Sequence, residues 1–435
     1  MKLLTFKGGV RPPENKLETC NIPIKNIAPS KIMTFLMSQA NDNFCEPCVS
    51  VGSDVLMGQL IGEAIDDNSV PIHSSVSGKV IAIEERMHPN GEMVKAVVIE
   101  NNGFDTPAQA ISANKDYRGL SSDEIVDVVR KAGIVGMGGE GYPTHLKLSQ
   151  SQNGKKIDKI IINAAETEPY LTCDHRTILE KPYELIGGLK VILHNFGLNK
   201  AYIAIEENKP DAINLLTQLA KREKDIKINV VVLKSKYPQG GEAQIISAVL
   251  KHKIQPGKLP ADMGIAVFNV GTCCEIYRSL MFGTPLLGRV VTIAGDCVKN
   301  PVNVRVRIGT SFEHIFESIG GFLKEPERVI MGGPMTGIAV SALDIPVIKT
   351  TTGLLALNKA KFAEEMPCIN CGKCVISCPS KLAPAELNTQ ARNEKYDNLK
   401  ALNAFDCIEC GTCSYLCPSN QHQTKHVRLA KLAAE

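Results

Sequence analysis

Tryptophan is absent from this 435-residue chain, and aromatic residues make up only 5% of it. Base-stacking platforms for nucleic acid therefore have little to be built from. Charge of one sign is lacking too: 49 Lys plus Arg against 46 Asp plus Glu leave a formal net charge of +3. That balance argues against nucleic acid as a partner. No apolar run reaches the roughly 18 residues of a spanning helix. The opening MKLLTFKGGVRPP is too short in apolar residues for a secretory signal. The expectation is a soluble, cytosolic chain that can still dock on a membrane complex. Its length suggests two to four domains, and 44% apolar, 22% charged, 35 Gly and 24 Pro are ordinary globular values.

Cysteine is abundant, with fifteen in all. Eight lie near the C-terminus as two copies of C-x2-C-x2-C-x3-C-P: Cys368, Cys371, Cys374, Cys378, Pro379 and Cys407, Cys410, Cys413, Cys417, Pro418. This is the run that binds two [4Fe–4S] clusters, its fourth Cys serving the other cluster. One cluster is thus expected on Cys368, Cys371, Cys374 and Cys417, the other on Cys407, Cys410, Cys413 and Cys378. Zinc sites show two C-x2-C pairs rather than triplets plus a fourth Cys, and disulfides need an oxidising compartment. A helix over ELNTQARNEKYDNLKAL is expected between the two runs. Cys45 and Cys48 form a lone pair, half a zinc site, and read as a reduced loop. Cys20, Cys173, Cys273, Cys274 and Cys297 read as small buried hydrophobes.

Residues 1–30 read as an extended arm. From 31 to 105 short β segments with Gly turns suggest a small all-β domain, in which HSSVSGKV looks like the turn of a barrel-sandwich fold without the modifiable Lys of carrier proteins. From 118 to 284 the period changes. SSDEIVDVVRKAG starts as a capped helix. Strands at 157–166, 201–207, 228–235 and 264–271 then alternate with helices at 183–197, 210–223, 241–250 and 275–283, which predicts a parallel sheet wrapped by helices. Residues 285–350 read as a small α+β unit, and 355–435 as the cluster module.

Gly136–Gly141, GMGGEG, fits G-x-G-x-x-G, but a helix precedes it where the dinucleotide fingerprint needs a strand. What remains is a loop whose N–H groups can approach a phosphate or a flat ring, with Lys147 close behind. A second constellation, Asn163 to Pro169 (NAAETEP), falls at the end of a predicted parallel strand, where ligands of α/β sheets bind. Two more strand ends carry Tyr237–Glu242 and Asn269–Thr272.

GIVGMGGEGYPTHLKLS (133–149), INAAETEP (162–169) and FNVGT (268–272) resemble the flavin- and NADH-binding subunit of respiratory complex I. With FKGGVRPPENK, the barrel turn and the doubled Cys runs in that order, the chain is similar over nearly its whole length to the C subunits of Rnf complexes, membrane-bound ferredoxin–NAD+ oxidoreductases. The resemblance implies a multidomain α/β and β architecture: barrel-sandwich domain, Rossmann-like flavin domain, soluble-ligand-binding β-grasp unit and helical two-cluster ferredoxin-like module. It implies non-covalent FMN on Gly136, Gly138, Gly139, Gly141 and Lys147, with Asn163, Glu166, Glu242, Asn269 and Thr272 completing its pocket. Glu168 would bind the nicotinamide end of NAD(H), and Tyr142 takes the position that stacks on it. No catalytic acid or base is implied, which suits hydride transfer. Glu140 stands where the family usually has a small Ala and sets negative charge beside a phosphate loop. A nicotinamide moves two electrons and a cluster one, so a flavin between them is the needed converter. Implied partners are ferredoxin and other Rnf subunits, membrane-embedded ones and a ferredoxin-like one included, at the cytoplasmic face of the membrane. A cobalamin reductase of bacterial microcompartments shares the flavin and cluster modules; here the barrel precedes the flavin domain, which favours the Rnf subunit. A cluster-carrying adaptor without flavin is the third reading, supported by Glu140.

Overall fold

A computed structural model describes residues 3–40, 44–110, 116–149, 155–255, 257–358 and 364–434. Two small sheets form the β unit. One runs in the order Ile32–Leu36, Met93–Asn101, Gly78–Met87, Asp54–Val55; the other is Cys45–Pro47, Leu60–Ala64, Ile72–His73. Their neighbouring strands are antiparallel, and Met33, Phe35, Ile61 and Val97 fill the space inside.

The helix α1, Ser122–Lys131, opens on a capping box: the Ser121 hydroxyl accepts from the Glu124 N–H, and the Glu124 carboxylate accepts from the Ser121 N–H. The parallel sheet follows, with β1 Lys159–Ala164, β2 Lys200–Glu206, β3 Lys227–Leu233 and β4 Ile265–Asn269 in the order β3-β2-β1-β4. Its strands are almost continuously apolar because helices cover both faces. These are α2 Cys173–Glu180, α3 Pro182–Asn195, α4 Pro210–Arg222, α5 Glu242–Leu250 and α6 Val270–Phe282. The strand expected over 264–271 stops at Asn269, and the helix expected from 275 begins at Val270. The Asn269 side chain causes both shifts, since it accepts from the Gly271 and Thr272 N–H groups and caps α6.

A six-stranded mixed sheet contains β5, Gly288–Ala294. It runs Lys25–Asn26, Val302–Arg307, β5, Gly353–Leu357, Arg328–Met331, Ile338–Val340, and so takes a strand from the N-terminal arm. The helix Phe312–Ser318 buries Phe312, Ile315 and Phe316 against it. The cluster module is helical around Leu387, Leu399 and Val427. The single helix expected between the Cys runs is two, Pro384–Arg392 and Tyr396–Ala401, because Glu394 between them takes a left-handed backbone with φ 54°. Helix α7, Gln423–Ala434, ends the module. Among the described residues no helix is long and apolar enough to cross a membrane.

Candidate functional site: a glycine-lined cavity and two cysteine sets

The order β3-β2-β1-β4 places a topological switch point between β1 and β4, the crevice where open α/β sheets bind ligands. Asn163 and Asn269 face each other there in register, at the carboxyl ends of the two strands. Asn163 donates to the Gly240 carbonyl (2.8 Å) and accepts from the Ala165 N–H. Asn269 donates to the Asp174 carboxylate (2.6 Å) while capping α6.

The Gly-rich loop folds over this crevice and ties to itself. The Gly136 N–H donates to the Tyr142 carbonyl, and the Gly141 N–H to the Gly136 carbonyl. Its base is held by two fixed groups. The Met137 N–H donates to Thr272 Oγ1 (2.9 Å), and the buried Arg289 guanidinium of β5 donates to the Met137 carbonyl. Gly138 and Gly139 are left at the tip, lining the cavity. Lys147 lies partly buried behind them, on Glu140 (2.8 Å) and Glu242 (3.5 Å). Burial opposes its charge, but the Glu242 and Glu140 carboxylates outweigh this and hold the ammonium above its ordinary pKa.

The acidic strand end is braced from outside the sheet. Glu166, in a left-handed backbone with φ 52°, accepts from the Asp174 and His175 N–H groups of α2. Glu168 accepts from the Met335 N–H (3.0 Å) and the Thr336 hydroxyl (2.6 Å), and burial pushes its pKa up. Lys16 of the arm donates to the carbonyls of Glu166, Glu168 and Leu171. Burial, then the nearby Glu166 carboxylate, pushes Asp174 up to about 7.

That shift has a pH consequence. With its folded pKa above the unfolded value of about 4, Asp174 binds more protons in the native state between those limits. Its contribution to stability is full below about pH 4 and is lost as pH rises to about 7. Asp174→Asn is expected to flatten this part of the profile of Tm against pH. Parallel wild-type and variant profiles would contradict the assignment.

The two Cys runs wind alike. Asn370 (φ 53°) and Gly372 (φ 71°) in the first match Glu409 (φ 52°) and Gly411 (φ 75°) in the second. Left-handed residues interleaved with the Cys coil each loop around a concave centre, as in anion-binding nests. Cys368, Cys371, Cys374 and Cys417 line one void; Cys378, Cys407, Cys410 and Cys413 line another. The fourth Cys of each run has crossed to the other set, as the spacing requires. Cys368 and Cys371 are exposed, whereas the second set is half-buried. Burial pushes the Cys407 thiol up to about 11, so the thiolates need compensating metal charge.

The inner Cys set abuts the parallel-sheet unit. Tyr237, from the segment after β3, donates to the Cys410 carbonyl (2.8 Å) and lies 3.5 Å from Glu168 Oε1. The arm completes the junction: the Gly9 N–H donates to the Ser377 carbonyl, and Val10 pairs with Tyr237. Gly9 has φ 78°, and a Cβ there would run into the Tyr237 carbonyl, so glycine is required.

One open cavity of about 680 Å³ joins these parts, within the range of small-molecule sites. Of the site residues expected from the sequence, Gly138, Gly139, Asn163, Glu166, Glu168 and Asn269 line it, as does Glu140. Gly136, Gly141, Tyr142, Lys147, Glu242 and Thr272 stand behind it, in the loop's own hydrogen bonds, the lysine cluster and the loop base. The sequence reading missed Lys16, Asp174 and Arg289. Each is far in sequence from the groups it holds, and no local pattern marks it. Glycines at 138, 139, 240, 332, 333 and 337 expose backbone along the cavity wall, which suits a flat ring system and its phosphate.

Four family models match: the RnfC barrel sandwich hybrid domain over residues 4–104, the Nuo51 FMN-binding domain over 129–278, the SLBB domain over 290–339 and the 4Fe-4S dicluster domain over 367–421. The C subunit of the Na+-translocating ferredoxin:NAD+ oxidoreductase complex of Acetobacterium woodii is 42% identical over 98% of this chain and 96% of its own length. The proton-translocating counterpart of Clostridium ljungdahlii is 40% identical over 92% of this chain and 87% of its own. The C subunit of the ion-translocating oxidoreductase complex of Serratia proteamaculans is 35% identical over 93% of this chain, which spans 58% of that longer protein. Among solved structures, an NAD+-reducing [NiFe]-hydrogenase chain superposes with a TM-score of 0.51 over 71% of this chain and 61% of its own; at 17% identity this likeness concerns the fold alone. The chain belongs to the family of C subunits of Rnf ion-translocating ferredoxin:NAD+ oxidoreductase complexes.

Proposed function

We propose that this chain is the NAD(H)-handling subunit of a membrane-bound ferredoxin:NAD+ oxidoreductase, docked at the cytoplasmic face on membrane-embedded and ferredoxin-like partner subunits. Five units carry the work: arm 1–30, barrel-sandwich domain 31–105, FMN/NADH domain 118–284, a β-grasp unit 285–350 and the two-cluster module 355–435. FMN, when bound, exchanges hydride with the nicotinamide and single electrons with the clusters. Gly138 and Gly139 would present backbone to it, with Asn163, Glu166 and Asn269 lining its pocket, and Gly136, Gly141 and Thr272 shaping the loop. Glu168 would orient the nicotinamide end of NAD(H), and Tyr142 would support the loop from behind. Asn163 and Asn269 are fixed by neighbouring backbone and Asp174, so the pocket is preorganised.

One observation carries this reading. Glu168 in the cavity, Tyr237 and the Cys410 carbonyl form an unbroken contact from the hydride site to the inner cysteine set. The outer set, with Cys368 and Cys371 exposed beside Ile369 and Ile376, then faces single-electron partners. Anaerobically reconstituted protein is expected to hold about one FMN and about eight iron and eight sulfide per chain. Zinc in place of iron, or no flavin uptake, would refute the proposal.

Lys147 has a defined part in this. Its ammonium would serve the FMN phosphate, together with Glu242 as its fixed partner, but Glu140 now occupies one of its sides. Glu140→Ala is expected to tighten FMN roughly threefold, because a half-exposed pair is worth less than about 1 kcal/mol. Fluorescence titration of apoprotein with FMN measures it; weaker binding would mean that Glu140 supports the site.

A further inference from the structure

Charge is unevenly placed along the cavity, and its cations take no part in the flavin site described above. Its lining includes the carboxylates of Glu140, Glu166, Glu168 and Asp174, grouped around the crevice. The only Lys or Arg among its described lining residues are Arg428 and Lys431, both on α7 of the cluster module. Three residues apart, they share one helix face. Both grip Glu409: Arg428 Nε lies 2.6 Å from Oε2, and Lys431 Nζ lies 2.7 Å from Oε1. Lys431 also donates to the Cys407 carbonyl. A second polar group lines the cavity. His88, from the barrel hairpin, is buried and accepts from the Asn90 N–H at Nδ1, while its Nε2 has no hydrogen-bond partner among the described residues.

The contacts also give an order along the cavity. Glu168 touches the segment at Met335 and Thr336. That segment abuts Gly411, whose added Cβ would lie 2.8 Å from the Met335 carbonyl. Gly411 follows Glu409 and so leads to Arg428 and Lys431. From Glu168 the Met335–Thr336 segment thus leads along the cavity wall to Glu409 and its two cations.

We propose that Arg428 and Lys431 form a diphosphate subsite for the dinucleotide, with Glu409 holding the two cations in place. The proposal rests on the NAD(H) reading given above. An anion reaching the pair would be shared between two charge-assisted donors, each stronger than a neutral hydrogen bond.

The test is calorimetric titration of the flavin- and cluster-loaded protein with ADP-ribose, which has the diphosphate but no nicotinamide. Arg428→Gln and Lys431→Gln are each expected to raise its Kd about tenfold, with FMN and iron content unchanged. Wild-type affinity in both variants overturns the proposal. So does loss of FMN with ADP-ribose binding kept, which would assign the pair to the flavin phosphate. If a variant loses iron, the salt dependence of the wild-type affinity decides: weakening with added salt supports the subsite, and insensitivity overturns it. Failure of the NAD(H) reading itself shows separately, as wild-type flavin that NADH does not bleach.

Discussion

Cys378→Ser is expected to remove the cluster whose other ligands lie about thirty residues downstream, at Cys407, Cys410 and Cys413, and to spare the one on its own run. The crossing of the fourth Cys makes this so: Cys378 lines the void of the second set, while Cys417 lines that of the first. Iron should fall by about half, from about eight to about four per chain. The inner set is the one joined to the cavity through Tyr237, so NADH-driven reduction of an external one-electron acceptor should fall by orders of magnitude although the flavin still reacts. Cys417→Ser should halve the iron as well, but empty the exposed set. Low-temperature EPR of the two variants tells the cases apart, since each should retain the signal that the other lacks. A residual signal of Cys378→Ser that matches that of Cys371→Ser rather than that of Cys410→Ser would mean that the runs do not exchange their fourth ligand.

Gly138→Val is expected to weaken FMN binding a hundredfold or more while leaving the fold in place. A Cβ at this loop tip already comes within 3.2 Å of the Asn269 amide, and two further methyl groups would enter the cavity that the ring system needs. The loop's anchors at Thr272 and Arg289 are untouched. Gly138 does not take a left-handed backbone, so valine adds no large backbone strain. The readout is the flavin-to-protein ratio after gel filtration, with Tm as the control for folding. A variant that keeps stoichiometric flavin would show that the tip does not contact it.

The sequence made some of this legible and left other parts out of reach, for physical reasons. The doubled Cys run fixed its own topology, because ligand spacing and the crossing of the fourth thiol are local consequences of cluster size. The parallel sheet was readable from four apolar strand-length runs separated by helical periods, and its crevice from Asn163 and Asn269 at two strand ends. Boundaries slipped where a side chain overrode the pattern: Asn269 ended a strand early by capping α6, and a left-handed Glu394 divided one expected helix into two. Arg289 and Lys16 were invisible. They act as buried donors on carbonyls more than a hundred residues away, and only the assembled sheet edges bring them there. The paired state of Lys147 was equally hidden, since Glu242 reaches it from a helix 95 residues on. The arm read as an extended strap, but its Gly9 and Lys16 pin the inner cysteine set and the acidic strand end to one another's neighbourhood.

The most direct test of the relay is a count of hydride equivalents. Protein loaded with flavin and both clusters is reduced fully, freed of excess reductant under anaerobic conditions, and mixed with NAD+. A flavin stores two electrons and each cluster one, so a connected chain should yield about two NADH per polypeptide. A yield of one, with the clusters still reduced by EPR, would contradict an electronic path between the cavity and the cysteine sets.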